Sequence, residues 1–461
     1  MNKTIILFGI IILTGCTVND YSLPDYKNAN KDTETRVEDL IDRMTLEEKV
    51  ELVGGNDFKT YGNIRLGIPE MVMTDGPLGP NNKGRSTNYS AMINLAATFN
   101  TDLMHSVAQQ IGEETRIIGR NMLLGPCINI ARAPHGGRTF EGFGEDPYLM
   151  SRMVVPYVKG VQSKNVITCT KHFVANNQEW NRFDVSAEMN ERALREIYFP
   201  AYKAAVQEAD TWTIMAAYNQ FRGTYACENK YLLQDVLKDE WGFTGVAVSD
   251  WGGARSTVPM ANSGLDLEMP NGKYYGEKLL KAINDGEVEE ALLDDKVRRI
   301  LRVMFKAGLF DESVDSYGGI SDQPPRRELA KRVADQSIVL LKNDRNFLPL
   351  NKENIRSIAV IGPNAGEARM EGGGSGGLTG NYGVSPYQGI LDKVSDDIEV
   401  KFARGIPARS LDLPIAGPEF YMTKSGEPGI DAEYFNNKEV EGEPDLVRVE
   451  KDINFDWGFG D

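Results

Sequence analysis

From Asp39 to about Phe310 the chain alternates short apolar, β-branched runs with longer stretches of helical period. A chain patterned in this way has few folds open to it other than a parallel α/β sheet or barrel. The way the runs end is a second constraint. Met71-Val72-Met73-Thr74 finishes in Asp75-Gly76-Pro77, and Met122 to Ile130 leads into Arg132 and the turn Gly136-Gly137-Arg138. Val166 to Thr170 finishes in Lys171-His172, Thr213-Ile214-Met215 runs on to Tyr218-Asn219, and Val246 to Ser249 stops at Asp250-Trp251. In an α/β barrel the carboxyl ends of the strands lie on one face, where active sites are built, so these polar tips are expected to converge.

The intervening helices have readable ends. Asn100 or Thr101 can cap a helix that buries Leu103, Val107 and Ile111 and stops near Gly119. Asn229 can cap another with Leu233, Val236 and Leu237 inward, closed by Gly242. Pro147 can begin a helix with Asp146 as its cap. A barrel over 33–310 follows, then a linker over 311–325 rich in Asp, Ser, Gly and Pro. A second α/β domain is expected over 326–425, with a helix from Arg327 to Lys342, a strand Ile358–Ile361, a helix near Gln388 and a strand Ile398–Phe402. Its glycine run, Gly372 to Gly377, lacks the Lys-Ser/Thr ending of a phosphate loop and reads as a mobile loop above the barrel. From 426 to 461 the character turns to β pieces, Ala432–Phe435 and Leu446–Val449.

Charge and composition narrow the chemistry. Lys+Arg number 51 against 67 Asp+Glu, a net charge of −16, and such a surface repels nucleic acid. With 3 His and 4 scattered Cys there is little material for a metal site, so no metal is expected and the chemistry falls to carboxylates. At the N-terminus, Lys3 precedes an apolar run from Ile5 to Leu13, well short of the about 20 residues that span a bilayer. The following Leu13-Thr14-Gly15-Cys16 resembles a lipobox. It implies a signal peptide over 1–15, lipid on the Cys16 sulfur, a polar tether over 16–32, and an exported protein anchored to the membrane of a bacterial envelope. Cys127, Cys169 and Cys227 then remain, an odd and irregular set that reads as buried free thiols.

Five segments together carry a family resemblance: Thr74-Asp75-Gly76-Pro77, Gly137 to Pro147, Lys171-His172-Phe173, Met215 to Asn219, and Ser249-Asp250-Trp251. In this order they resemble glycoside hydrolase family 3, over roughly residues 33 to 425. Residues 426–461 resemble the start of the protective-antigen-type β-sandwich insert that some members carry. The resemblance implies a TIM-type barrel, an α/β sandwich domain after it, retention of anomeric configuration and no cofactor.

Position alone leaves Asp250 open between a loop cap and an attacking carboxylate. The resemblance places it at the family's nucleophile. It likewise places Asp75, Arg138, Lys171 and His172 on the hydroxyls of the sugar next to the scissile bond. Trp251 is expected to stack on that ring, Tyr218 to hydrogen-bond the nucleophile, and Arg132 to join the binding set. Glu141 and Asp146 read as loop-fixing and cap residues. A retaining enzyme also needs an acid/base carboxyl about 5 to 5.5 Å from the nucleophile. In the family that Glu comes from the second domain, beyond the insert, so it is expected beyond Asp461.

The leading expectation is a β-glucosidase acting on a glycoside, with Trp251 and Asp75 suited to a glucose-type ring. β-Xylosidase and α-L-arabinofuranosidase are the alternatives within the family, and a non-catalytic, lipid-anchored sugar-binding protein is the alternative outside enzymes. The N-acetylglucosaminidase branch is disfavoured, because Lys171-His172-Phe173 continues into Val174-Ala175-Asn176.

Overall fold

The computed structural model describes residues 23–81, 86–311 and 323–451, apart from 371, 379, 381, 395, 406–420 and 438–439. The leader with Cys16, residues 312–322 of the expected linker, and Trp457 lie outside the described residues. Among the described residues no helix is long and apolar enough to cross a membrane. The chain divides into two compact units, one running to Leu341 and including 370–382, the other formed by 342–369 and 383–461.

The first unit is built on a parallel sheet of β1 (Met73–Asp75), β2 (Met122–Leu124), β3 (Ile167–Phe173), β4 (Thr213–Ala216) and β5 (Val246–Ser249), which neighbour one another in chain order. Met122 stands opposite both Met73 and Ile167, and Thr213 opposite both Cys169 and Val246. The apolar runs dictate this arrangement, because strands covered on both faces can bury every residue, and β2 to β5 do so. Main-chain bonds continue past both edge strands: Ser249 donates to Leu267 O at 2.9 Å, Glu268 to Val53 O at 3.0 Å, and Met73 to Phe58 O at 2.7 Å. This is the α/β class expected, with all five strand tips aimed the same way.

The helices end where their sequences end them. Asn100 accepts from Leu103 N–H and opens Thr101–Ile117, whose Leu103, Val107 and Ile111 are buried. Gly119, at φ +73°, follows its end. Asp146 caps Pro147–Gln162, and these two helices press together at Gly160, where a Cβ would stand 2.6 Å from that of Ala108. Asn229 accepts from Leu232 N–H and opens Tyr231–Glu240, wound as a π-helix. Beside it the buried Asp266 accepts from Ala247 N–H at 2.8 Å and from Lys238 Nζ at 2.6 Å, which ties β5 to the helix before it. The three cysteines Cys127, Cys169 and Cys227 are buried and free, as expected.

One boundary differs from the sequence reading. The helix expected over Arg327–Lys342 runs Pro324–Ser337, so Ile338 onward is not helical, and it packs with the first unit, as does the loop 370–382. The run Ile338-Val339-Leu340-Leu341 is apolar at every position and offers a helix no polar face. In the second unit β6 (Ser357–Ile361) pairs in parallel with β7 (Glu399–Ala403), and β8 (Ile430–Tyr434) pairs antiparallel with β9 (Leu446–Glu450).

Candidate functional site

The carboxyl ends of β1, β3, β4 and β5 open into one cavity of about 410 Å³. Asp75 ends β1, Lys171 and His172 lie near the end of β3, Tyr218 stands just beyond β4, and Asp250 and Trp251 follow β5 directly. All six line the cavity together with Arg138, which comes from the loop after β2. Residues scattered over more than 170 positions of sequence thus meet because the strands are parallel and in register.

Asp250 is buried, and its two oxygens are treated differently. Oδ1 accepts the Trp251 N–H at 2.8 Å, whereas Oδ2 has no hydrogen-bond partner and lies 3.6 Å from His172 Nε2. Burial pushes this carboxyl above the usual range, against the pull of Lys171, the Trp251 N–H and Arg138. Asp75 is also held above its ordinary value by burial, with Lys171 Nζ at 3.6 Å and Arg138 opposing the shift. Burial carries His172 well below its usual value, and Arg138, Lys171 and Arg182 push in the same direction. The imidazole is therefore neutral at physiological pH, and its contact with Asp250 is not an ion pair.

Arg138 is locked in place by an unusual number of partners. Its Nε and Nη2 form a two-pronged bond to the buried Glu141 at 2.9 and 2.8 Å, and Nη2 also donates to Ser375 Oγ at 2.7 Å. A 3-10 turn over Thr139–Glu141 folds Glu141 back onto the guanidinium. Desolvation works against the charge, but the Glu141 carboxylate outweighs it and raises Arg138 above its ordinary value. Trp251 rests on Phe58 with ring centroids 5.1 Å apart, and its indole N–H has no partner.

One expectation is refined here and one is corrected. Tyr218 donates to the main-chain carbonyl of Trp251 at 3.0 Å, which orients the loop that carries the nucleophile candidate, and it also stands within hydrogen-bonding reach of Asp250, which after burial raises its phenol. Arg132 does not reach the cavity lining. It is exposed, with its guanidinium 5.5 Å from the Tyr198 ring centre and Nη1 3.3 Å from the Tyr198 hydroxyl.

Sequence reasoning missed the partners of Arg138. Glu141 reads as a loop residue because nothing local shows that it is buried against a cation. Ser375 and the glycines before it are 237 positions away, and they form part of the cavity wall. A Cβ on Gly372 would stand 2.2 Å from Phe140 Cζ, so this segment can close on Phe140 only without a side chain. The sequence reads this glycine run as a mobile loop, and nothing local in it shows that it closes on Phe140. Among the described residues no group of three or more His, Cys, Asp or Glu gathers as a metal site would require.

Residues 40–303 match the model of the glycosyl hydrolase family 3 N terminal domain, and residues 338–449 match that of the family's C-terminal domain. The chain belongs to glycoside hydrolase family 3. Family 3 relatives include a beta-glucosidase of Rhizobium radiobacter, 39% identical over 430 residues that make up 91% of this chain and 51% of that protein. Beta-glucosidase B of Emericella nidulans is 36% identical over 89% of this chain and 49% of its own length. The chain spans about half the length of the curated relatives it matches. Among solved structures, beta-glucosidase 3B from Thermotoga neapolitana in complex with glucose superposes with a TM-score of 0.74 at 36% identity, covering 79% of this chain and 55% of that one. The beta-D-glucoside glucohydrolase of Trichoderma reesei gives 0.77 at 33% identity, covering 81% and 57%.

Proposed function

We propose that this family 3 chain carries the sugar-binding and nucleophilic half of a retaining exo-β-glucosidase, with Asp250 as the attacking carboxylate. The observation that carries the reading is the bare Oδ2 of Asp250, facing a polar cavity while Oδ1 is held by a main-chain donor. A carboxylate fixed by one oxygen and free at the other can attack an anomeric carbon without first breaking a hydrogen bond. Lys171, Arg138, Asp75 and His172 surround it with donors and acceptors matched to ring hydroxyls. A sugar lacking one of these hydroxyls would leave a desolvated protein group unpaired. The beta-glucosidases among the relatives, one of them holding glucose, support a glucosyl unit as the substrate.

The reading assigns the acid/base carboxyl to a residue outside these 461. Three further carboxylates line the cavity, and each faces a cation: Asp75 is 3.6 Å from Lys171, Glu141 is bound by both prongs of Arg138, and Glu179 accepts from Arg182 at 2.5 Å. Each is thus committed to a cation of the cavity wall and not free to serve a leaving group. This chain should therefore release the phenol of an activated aryl β-glucoside in a burst of no more than one equivalent, with azide restoring turnover because it needs no general base. Mass spectrometry after a 2-fluoro glucoside should place the sugar on Asp250. A label elsewhere removes the assignment, and efficient cellobiose hydrolysis by this chain places an acid within it. A folded, glucose-binding sample with no burst would mean that the chain binds sugar only.

The lipid anchor at Cys16 is part of the same proposal, supported by the lipobox-like Leu13-Thr14-Gly15-Cys16 and the polar segment after it. Cys16→Ser should move the protein from the membrane to the soluble fraction. An unchanged distribution would count against the anchor.

A further inference from the structure

We propose that Asn129 is a positioning residue that sets the tautomer of His172, holding the ring's single proton on Nε2, the nitrogen that faces Asp250. The inference rests on reading His172 and Asp250 as the substrate-facing pair of the site. Asn129 lies past β2 on a segment that runs beside β3, where Ile128 N–H donates to Lys171 O at 2.7 Å. Its side-chain oxygen accepts the main-chain N–H of His172 at 2.9 Å. A main-chain N–H can only donate, so this bond assigns the amide's two ends.

With the oxygen so fixed, the amide nitrogen lies 3.2 Å from His172 Nδ1, nearer than the oxygen at 3.4 Å. An amide NH₂ has no lone pair to offer, so Nδ1 is the acceptor. The buried Cys127 thiol, 4.0 Å from the same nitrogen, is pushed up to about 11 chiefly by burial, keeps its proton and can only reinforce that role. A neutral imidazole with Nδ1 accepting carries its hydrogen on Nε2.

That hydrogen sits where the site needs one. Nε2 is 3.6 Å from Asp250 Oδ2. The opposite tautomer would set a lone pair against a carboxylate lone pair. Arg138 Nη1, 3.4 Å from Nε2, pulls toward that opposite tautomer, but this guanidinium already spends its Nε and Nη2 on Glu141 and Ser375. Nη1 also has the Glu179 carboxylate 4.0 Å away as an alternative partner, so the Asn129 amide on Nδ1 decides between the two tautomers. Asn129 would thus act on the nucleophile through His172, presenting a donor that can pass from the carboxylate to a ring hydroxyl as the sugar binds.

The test is a long-range proton–nitrogen correlation spectrum of the chain labelled at histidine, with the His172 signals assigned by their loss in His172→Gln. The expected result at neutral pH is an Nε2–H imidazole. In Asn129→Asp, whose oxygens can only accept, the proton should move to Nδ1, and labelling of Asp250 by the 2-fluoro glucoside should slow about ten-fold, the scale of one lost hydrogen bond. An Nδ1–H or charged ring in the unsubstituted chain overturns the proposal, and so does an unchanged tautomer in a folded Asn129→Asp. Should that variant not fold, the spectrum of the unsubstituted chain decides alone. Because the tautomer is read without turnover, an Nε2–H ring in a chain that forms no glycosyl ester would refute the functional reading and leave the role of Asn129 intact.

Discussion

β3 and β6 are both short parallel strands, yet β3, which carries Thr168, Thr170, Lys171 and His172, is buried at every position and β6 only at Val360. β3 has a hydrogen-bonded neighbour on each side, β2 and β4, and its Phe173 packs on Phe199, Tyr202 and Trp241. β6 pairs with β7 alone among the described residues, leaving Ile361 70% and Phe402 40% exposed. Strand formation needs only a suitable run and one partner, whereas burial needs neighbours on both edges and both faces. The cavity forms at the tip of β3 because a tip so held can keep Lys171 and His172 dry and fixed.

Four experiments would break or sharpen that contrast. The largest effect is expected at the buried tip of β5, where Asp250→Asn should cost about four orders of magnitude in glycosylation rate while glucose binding persists. The same change should raise the thermal midpoint at neutral pH. Burial lifts the folded carboxyl above its unfolded value, so ionised Asp250 destabilises the fold above that range, and the amide carries no charge to bury. A midpoint unchanged from pH 4 to 8 between the two proteins would remove this account.

Next come paired truncations. Ile214→Ala in β4, where the side chain is fully buried, should lower stability by about 2–5 kcal/mol. Phe402→Ala in β7 should cost about 1 kcal/mol or less. Equal losses in urea unfolding would show that the second unit has a packed core that β6 and β7 share.

A similar or smaller effect is expected at Glu268, buried beside the first unit's sheet, which accepts from Tyr274 and Tyr275 N–H at 2.9 and 2.6 Å. Burial raises this carboxyl to about 7. Its contribution is therefore fully present below the unfolded value and is lost as pH rises through 7, amounting to roughly 3 kcal/mol across the window. Glu268→Gln keeps an acceptor without the charge, so stability measured against this variant should fall between pH 4 and 8. A difference that does not change with pH would refute the shift.

The smallest effect is kinetic, in amide exchange. The amides of β3 should exchange only on global opening, and those of β6 and β7 through local opening. Similar protection in the two places would erase the contrast.

Much of the first unit was legible because its signals are local. The runs before Asp75, Lys171 and Asp250, and the caps Asn100, Asp146 and Asn229, depend on neighbours within a few residues, and the structure follows them. Arg132 was misjudged for the opposite reason. It shares a loop with Arg138, and only the fold turns one guanidinium into the cavity and leaves the other exposed on Tyr198. Tyr218 stands where the sequence puts it, but its hydroxyl takes the Trp251 carbonyl, a choice set by a turn 33 positions later.

The sequence by itself determined which residues end the strands and where the helices are capped. These follow from hydrophobic period, turn residues and composition, all of them short-range properties. Tertiary structure alone decided the state of the groups at those ends: Asp250 with one oxygen bound and one bare, Arg138 gripped by Glu141 and Ser375, His172 neutral against Asn129. Protonation and orientation depend on desolvation and on partners that the chain brings from as far as 237 positions away, and no local pattern encodes them.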